Sequence, residues 1–304
     1  MSIESFTIKR LANDVKSLIN NSLEKIKSLS IWSKDINIKP LEGGITNLNY
    51  LVDHGGEKLV VRLGSDIPEH LVYRSNEIIV SKAAYEIGVS PKLIHSEQGV
   101  LVLEFIESTT LDPKGVQQNL KRIIPVIKKI HHEIPNTLSG QPAIFWVFYV
   151  IKYYANFLKK HKSSHIGIIE NLLDKSSNLE KLSSPREIVF GHNDFLAANF
   201  LDDGSKIWVV DWEYGGFNDP LFDIGGLASN NDFNQDQEKE TLEMYYEKSI
   251  NNDLLLRYNA MKTASLLRET MWSMVSELTS KIDFDYGEYT QENLNKFDQA
   301  YGSL

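Results

Sequence analysis

The sequence predicts an α+β fold in which an antiparallel five-stranded sheet with one helix precedes a mainly helical region. Between residues 36 and 106, five short apolar runs are separated by turn-forming residues, which is the pattern of strands joined by hairpins. After Ile106, apolar residues recur at helical spacing over long stretches. We therefore expect two domains, residues 1–106 and residues 107–304.

The composition limits the classes of protein that the chain can represent. Of its 304 residues, 42% are hydrophobic and 24% charged, which is ordinary for a folded globular protein with a substantial core. Cysteine is absent, which excludes disulfides, thiolate catalysis and cysteine-ligated metals. The net charge of −9 disfavours nucleic acid as a partner and suits a cationic ligand, if the acidic side chains cluster near a cleft.

Neither a signal peptide nor a membrane span is expected. The first residues, MSIESFTIKRLAND, lack the apolar core of a signal peptide. The longest strongly apolar run, AIFWVFYVI at 143–151, is far shorter than the roughly 20 residues that cross a bilayer. We expect a cytoplasmic location, and the sequence gives no indication of the oligomeric state.

The elements of the first domain follow from the positions of its apolar runs and turns. Residues 9–29 carry apolar positions at helical spacing and predict one or two amphipathic helices. The segment INIKPLEGGITNLNYLVDHGGEKLVVRLG, 36–64, predicts three strands, the first ending at GGITN and the last two joined by a DHGGE turn. A helix is predicted over 71–87, and KLIHSEQGVLVLEFI, 92–106, predicts two more strands around an EQG turn.

The second domain is predicted to be helical except for one central block. Apolar positions predict helices over 114–132, 144–180 and 234–280. Between them, residues 187–226 mix polar and apolar residues and are expected to contain two short strands. Any polar site of this domain is therefore expected in the central block.

Three polar side chains flank a predicted hairpin in this central block. Phe200 and Leu201 begin the hairpin, DDGS forms its turn, and IWVV is the returning strand. Because a hairpin brings its two open ends together, Asn199 and Asp211 should lie close to each other, with Asp194 on the preceding loop. Two carboxylates and an amide oxygen would then converge.

These three side chains supply oxygen ligands, which suit a hard cation such as Mg²⁺. A carboxylate that the metal does not need could orient or deprotonate a hydroxyl. Phosphoryl transfer uses both roles, and protein kinases carry a catalytic-loop Asp, an Asn five residues later and a metal-binding Asp further on. Asp194, Asn199 and Asp211 reproduce that order and the first interval. The alternative is a loop whose Asp and Asn side chains cap helices and satisfy turns.

The sequence around this hairpin resembles a known superfamily. GHNDFLAANF, 191–200, followed by DWEY, 211–214, is similar to the aminoglycoside phosphotransferase and choline kinase superfamily. GGITNLNYLV, 43–52, and DWEYGGFNDPLFDIG, 211–225, resemble segments of bacterial LicA-type choline kinases, and the resemblance extends over residues 41–280. It implies a bilobal protein-kinase-like fold and an ATP- and Mg²⁺-dependent phosphorylation of the hydroxyl of choline to phosphocholine.

For the second domain, the resemblance implies a role for each residue of the catalytic loop. Asp194 would be the catalytic base that orients the acceptor hydroxyl, and Asn199 and Asp211 would bind Mg²⁺. His192 would brace the catalytic loop rather than act as a base. Asp223 would accept hydrogen bonds from the backbone of that loop.

For the first domain, the resemblance implies a nucleotide site. Arg62 stands where protein kinases have a lysine on the third strand, and its guanidinium could bind phosphate and pair with Glu77. For Arg62 and Glu77, the alternative is an ordinary surface ion pair. For Gly43 and Gly44, the alternative is a simple hairpin turn. Backbone groups from Glu104 to Ile106 would read the adenine. The expected nucleotide-binding residues are Gly43, Gly44, Thr46, Asn47, Arg62, Glu77, Glu104 and Ile106.

Several aromatic residues could hold a quaternary ammonium group, which has no N–H to donate and is best held by aromatic faces and carboxylates. Trp212 and Tyr214 flank Glu213, which would face the acceptor or support the metal ligands. Trp272 lies on a late helix that resembles the substrate-lining helix of the family, and Trp146 lies in an aromatic run. Core packing is the alternative for these aromatic side chains.

The sequence departs from the eukaryotic choline kinases in two places. Asn230 stands near the position where they carry an acidic residue, and the late helix has one tryptophan, Trp272, where they tend to have two. These departures leave the identity of the acceptor undecided. Ethanolamine kinase, thiamine kinase and aminoglycoside phosphotransferase are the alternatives, because they share the catalytic residues. A catalytically silent nucleotide-binding regulator is the alternative from a different class.

Overall fold

The structure is a computed structural model that describes residues 20–41 and 47–304. Tertiary contacts divide the chain into two compact units, each with its own hydrophobic core. The first unit consists of the residues up to Ser65 and of Lys92–Phe105, and the second consists of Asp66–Pro91 and Ile106–Leu304.

The first unit contains the predicted antiparallel sheet. Helix α1 covers residues 20–27, and the strands are β1 (Ile36–Leu41), β2 (Leu48–His54), β3 (Glu57–Leu63), β4 (Leu93–Glu97) and β5 (Val100–Glu104). Their order is β1-β2-β3-β5-β4, and every neighbouring pair is antiparallel, which confirms the prediction. Gly55 and Gly56 of the DHGGE turn have φ angles of 66° and 95°, which glycine adopts without steric cost. Most of the predicted helix over 9–29, and GGITN except its last residue, lie outside the described residues.

Alternation along the strands gives this sheet one buried face. Tyr50 and Val52 on β2 face Val61 and Leu59 on β3 in the register of the sheet, and all four are buried. Side chains two residues apart share a face, so the pattern predicted from the apolar runs defines the core. The core consists of Ile26, Leu29, Tyr50, Val52, Leu59, Val61, Val100 and Val102.

The second unit is mainly helical, as predicted. Its helices are α2 (Arg74–Glu86), α3 (Pro113–Gln118), α4 (Leu120–Thr137), α5 (Val147–Lys160), α6 (Ile166–Leu182), α7 (Pro220–Asn230), α8 (Gln235–Tyr246), α9 (Asn252–Thr279) and α10 (Tyr286–Gly302). Its short strands are β6 (Thr109–Thr110), β7 (Ala143–Ile144), β8 (Val189–Gly191), β9 (Phe200–Asp202), β10 (Ile207–Val209) and β11 (Gly216–Asn218). Single turns of 3-10 helix cover Pro68–His70 and Ala197–Asn199.

Helix α2 differs from its prediction in start and in packing. It begins at Arg74 rather than at residue 71, because Leu71 has a φ angle of 59°, which is incompatible with a right-handed helix. Val80, Ala83 and Ala84 are buried in the core of the second unit. The sequence places this helix in a first domain that ends at residue 106, whereas its contacts place it in the second unit. Adjacency along the chain does not determine which core an apolar helix face contacts.

The central block contains four strands, and the prediction of two was wrong. β9 and β10 form the predicted hairpin, and β6 joins them in a sheet of order β10-β9-β6. The other strands form a second sheet of order β7-β11-β8. These strands are two or three residues long, which is too short for a period of two to be recognised in the sequence.

The long helix α9 lies at the centre of the second unit. It packs against α5, α6, α7 and α10, and for this reason its buried residues lie on several faces. Among the described residues, no helix combines the length and the apolar character needed to cross a membrane.

Candidate active site

The β9–β10 hairpin positions the polar cluster predicted from the sequence. Its strands pair antiparallel, and the N–H of Val210 donates to the carbonyl oxygen of Asn199 at 3.0 Å. This bond closes the open end of the hairpin, so Asp211 follows directly after a residue bound to Asn199. At the other end, Asp203 accepts hydrogen bonds from the N–H groups of Ser205 and Lys206 in the turn.

The loop between β8 and β9 is held by a buried carboxylate. Asp223, near the start of α7, accepts hydrogen bonds from the N–H of His192 at 2.8 Å and from the N–H of Asn193 at 2.7 Å. Asn193 has a φ angle of 66°. A Cβ atom on Gly191 would lie 2.8 Å from Oδ1 of Asn193, so the close approach requires glycine. The predicted role of Asp223 is confirmed.

Replacement of Asp223 should destabilise the second unit. Asp223→Ala would leave two buried N–H groups without their acceptor and would remove the contact of the carboxylate with Nε2 of His131 at 3.1 Å. We expect the free energy of unfolding to fall by about 2 to 4 kcal/mol. Denaturant unfolding of Asp223→Ala and of Asp174→Ala, an exposed position on α6, measures the difference. Equal stability of the two variants would contradict a bracing role.

His192 is packed as a structural residue. Its ring stacks on Phe195, with centroids 4.8 Å apart, and lies 4.7 Å from the ring of Trp212. Nε2 lies 2.9 Å from the carbonyl oxygen of Val210. Burial lowers the pKa of His192, so the ring is neutral and donates from Nε2. These contacts tie the loop to the hairpin, in agreement with the predicted bracing role.

Asp194 lies on the same loop and is partly exposed. Its side chain keeps 16% of its surface exposed, and its Oδ1 lies 3.9 Å from Nη1 of Arg268. Burial raises the pKa of Asp194 to about 8; Arg268 opposes this shift, and the nearby Glu269 and Asp211 add to it. Without a bound cation, the neutral form of this carboxyl is therefore favoured around neutral pH, and added positive charge would favour the ionised form.

Asn199 and Asp211 offer oxygen atoms that fit a hard cation. Nδ2 of Asn199 donates to the carbonyl oxygen of Asp194 at 2.9 Å, which orients the side chain and leaves Oδ1 as its acceptor. Asp211 has a φ angle of 69°. In residues 20–41 and 47–304, no three carboxylate or imidazole groups converge as a metal site. The amide oxygen of Asn199 and the carboxylate of Asp211 fit Mg²⁺, which binds through one or two carboxylates together with phosphate oxygens and water.

Glu213 and Glu77 share a buried arginine that the sequence analysis missed. Nη1 of Arg74 donates to Oε2 of Glu77 at 2.6 Å and to Oε2 of Glu213 at 3.0 Å. Arg74 stands three residues before Glu77 on α2, and this spacing is the signal that could have found the pair. Arg62 is a buried residue of β3 in the first unit, and its pairing with Glu77 stays a prediction.

Two of the predicted acceptor-binding aromatic residues are in contact. Nε1 of Trp272 donates to the hydroxyl of Tyr214 at 3.0 Å, and His70 stacks on Trp272 with centroids 5.0 Å apart. The other two indoles have different partners. Trp212 is buried and donates to Oγ of Ser90.

Trp146 lies on the approach to α5. Its Nε1 donates to Oε1 of Glu180 at 3.2 Å, and the guanidinium of Arg186 lies 5.0 Å from its ring. The indole is therefore engaged by α6 and by the chain that follows α6.

The predicted nucleotide-binding residues are described only in part. Gly43, Gly44 and Thr46 lie outside the described residues, and Asn47 is buried just before β2. The N–H of Glu104 donates to Lys92 within the sheet at 2.9 Å, so this amide is committed to the sheet. The adenine-reading role of Glu104 to Ile106 stays a prediction for the remaining backbone groups.

Comparison with known families identifies the class of the protein. Residues 38–241 match the family described as choline/ethanolamine kinase, which is more than half of the chain. The chain belongs to this family, and the resemblance inferred from the sequence is confirmed. It is a phosphotransferase with an alcohol group as acceptor.

Individual relatives are similar over most of their length. "Protein LicA" of Haemophilus influenzae is 24% identical over 272 residues, which are 86% of this chain and 78% of the relative. "Probable ethanolamine kinase" of Arabidopsis thaliana is 26% identical over 328 residues, with 95% and 84% covered. The crystal structure of choline kinase LicA from Streptococcus pneumoniae has a TM-score of 0.74 at 20% identity, covering 96% of this chain and 100% of that chain. The fold is therefore that of the choline kinases.

Proposed function

We propose that this chain transfers the γ-phosphoryl group of ATP to the hydroxyl of choline, giving phosphocholine. The proposal rests on Asp194, Asn199 and Asp211, which flank the closed hairpin in the order used for phosphoryl transfer. It is supported by membership of a family of choline and ethanolamine kinases.

Asp194 is the residue that acts on the acceptor. Its carboxylate accepts a hydrogen bond from the acceptor hydroxyl, aligns the oxygen with the γ-phosphorus and takes the proton as the new bond forms. Asn199, bound to the backbone of Asp194, fixes the loop that carries this carboxylate. Mg²⁺ held by Oδ1 of Asn199 and by Asp211 would offset the phosphate charge. The added positive charge would also favour the ionised form of Asp194.

Choline is the acceptor favoured by the aromatic pair. Tyr214 and Trp272 are joined by a hydrogen bond between their polar atoms. His70 stacks on Trp272 and the guanidinium of Arg268 lies over the ring of Tyr214, so the ammonium group of the acceptor would contact the ring faces opposite these two side chains. Such faces attract a quaternary ammonium. The similarity to choline kinase LicA of Streptococcus pneumoniae supports the same acceptor.

Ethanolamine is a second candidate because of a carboxylate on α9. Glu269 stands three residues before Trp272, and it raises the pKa of Asp194, so its charge is close to the catalytic residue. A primary ammonium donates three hydrogen bonds and a quaternary ammonium donates none. A carboxylate at this place would therefore favour ethanolamine more than choline.

The acceptor can be assigned by steady-state rates of ATP consumption. Choline, ethanolamine, thiamine and kanamycin would each be added to the protein with ATP and Mg²⁺. We expect the highest kcat/KM with choline. A higher value with ethanolamine would replace the acceptor and keep the chemistry, and no acceptor-dependent turnover in the panel would refute the proposed function.

Replacement of Trp272 should weaken the binding of choline. Trp272→Leu keeps an apolar side chain and removes the ring, so we expect the KM for choline to rise about 3- to 30-fold, with a smaller change for ATP. The KM for the uncharged isostere 3,3-dimethylbutan-1-ol should rise less in Trp272→Leu, because this alcohol has no charge to interact with the ring. Trp208→Leu, in the strand β10, is the matched control. Equal changes for the two acceptors would assign Trp272 to the core.

A further inference from the structure

Arg268 is a buried cation beside the proposed catalytic base. It lies on α9 with 4% of its surface exposed. Its Nη1 donates to Oε2 of Glu269 at 2.9 Å and lies 3.9 Å from Oδ1 of Asp194. Its Nε and Nη2 are buried and have no hydrogen-bond partner among the described residues. The sequence analysis assigned no role to this residue.

The two unpaired atoms form one edge of the guanidinium. Nε–H and Nη2–H point in parallel, and this fork matches the two oxygens of a carboxylate or a phosphate. Buried donors without a partner cost free energy and are rare in native proteins, so each one needs an explanation such as a missing ligand. An anionic group bound at this edge would satisfy both atoms.

No carboxylate of residues 20–41 and 47–304 pairs with this edge. Both oxygens of Glu269 are engaged, one by Nη1 of Arg268 and the other by the hydroxyl of Tyr289 at 2.8 Å. The guanidinium lies 4.4 Å from the ring centroid of Tyr214 and 5.5 Å from that of Phe145. Aromatic rings stack on a guanidinium and orient it without using its N–H groups.

Two further buried polar groups near Arg268 are also unpaired. Nδ1 of His70 and the hydroxyl of Tyr154 have no partner in the described part of the chain, and their rings are 5.8 Å apart. Burial, with a contribution from Arg268, lowers the pKa of His70 to about 3, so its ring is neutral. Burial raises the pKa of Tyr154, so its hydroxyl keeps its proton. The cluster therefore places a hydroxyl donor and a neutral imidazole near one fixed positive charge.

We propose that Arg268 binds a carboxylate of the acceptor, so that the acceptor is an amino alcohol that also carries an acidic group. The inference rests on the proposed function, because the cluster lies beside Asp194, where the acceptor hydroxyl must bind. Choline then represents the core of the acceptor, with the hydroxyl and the ammonium but without the carboxylate. Since Nε and Nη2 are buried, the side chain must shift when the acceptor enters.

Acceptors that differ in the carboxylate test this inference. L-Carnitine adds a carboxylate to the hydroxyl and trimethylammonium groups of choline, and L-serine adds one to ethanolamine. We expect at least one acid to have a higher kcat/KM than its parent alcohol. Arg268→Met should lower kcat/KM for the acid by about 10- to 100-fold, and at least ten times more than for the parent.

Two further variants control for charge and for the fold. Arg268→Lys keeps the charge and loses the fork, so its kcat/KM for the acid should lie between the values of the unchanged protein and of Arg268→Met. Arg257→Met removes an arginine of the same helix that binds Asp253 and the carbonyl oxygen of Pro185, and it should not change the ratio between acid and parent. Thermal unfolding of each variant reports whether the fold is kept.

The outcomes separate this inference from the proposed function. Turnover of choline or ethanolamine with no turnover of either acid would overturn the carboxylate site and leave the proposed function intact. An equal loss for all acceptors in Arg268→Met would assign Arg268 to the transferred phosphate or to the fold. If no acceptor turns over, the proposed function fails. The carboxylate site is then tested separately, by calorimetric titration of the protein with L-carnitine. Binding that Arg268→Met abolishes would support the site, and no binding to the unchanged protein would overturn it.

Discussion

Asp194→Asn is expected to reduce kcat for the phosphorylation of choline by about 100- to 10,000-fold. The amide keeps the size of the side chain and can still contact the acceptor hydroxyl, but it cannot take the proton. The backbone carbonyl of Asp194, which accepts the hydrogen bond from Asn199, is unchanged, so the loop should keep its conformation. Nucleotide affinity should therefore be nearly that of the unchanged protein. Steady-state kinetics with choline and a nucleotide titration measure the two effects.

Asp232→Asn is the matched control for this replacement. Asp232 is exposed and has a φ angle of 52°, a conformation that Asn tolerates well. We expect its rate to equal that of the unchanged protein. Retained turnover in Asp194→Asn would remove this residue as the base, and a parallel loss of nucleotide binding would indicate damage to the site as a whole.

Asp211→Asn is expected to raise the Mg²⁺ concentration that gives the half-maximal rate by about 10- to 100-fold. The replacement removes one negative charge from a donor set that contains one amide and one carboxylate. Asn tolerates the left-handed backbone of this position, where φ is 69°, so the hairpin should remain closed. Excess Mg²⁺ should restore part of the rate, because the phosphates of the nucleotide supply the other ligands. A Mg²⁺ titration of the initial rate measures this shift.

Asp203→Asn changes the carboxylate at the opposite end of the same hairpin. Oδ1 of Asp203 accepts the N–H groups of the turn, and the oxygen of Asn can do the same. This variant should show the Mg²⁺ dependence of the unchanged protein. A Mg²⁺ dependence that is unaltered in Asp211→Asn as well would exclude Asp211 as a metal ligand.

The parts of the fold that depend on neighbouring residues were predictable from the sequence. The five strands of the first unit and the β9–β10 hairpin were predicted because apolar runs and turn residues determine them locally. The predicted convergence of Asn199 and Asp211 followed from the hairpin alone, and the bond between Val210 and Asn199 is consistent with it.

The parts that depend on packing between distant segments could not be predicted. Helix α2 carries an apolar face, but nothing local shows that this face belongs to the core of the second unit. Arg74 binds Glu213, which is 139 residues away. Arg268 lies near Asp194 only because α9 packs beside the loop between β8 and β9. A charged residue in a helical pattern gives no sign that its side chain is buried.

The most informative measurement is ³¹P NMR of the protein with ATP, Mg²⁺ and choline, repeated with Asp194→Asn. We predict a resonance of phosphocholine that grows as the γ-phosphate resonance of ATP declines, and a rate at least about 100-fold lower in the variant. This result would establish the acceptor, the bond that forms and the role of Asp194 together. Binding of ATP with no phosphocholine from the unchanged protein, or equal rates in both proteins, would contradict the proposed chemistry.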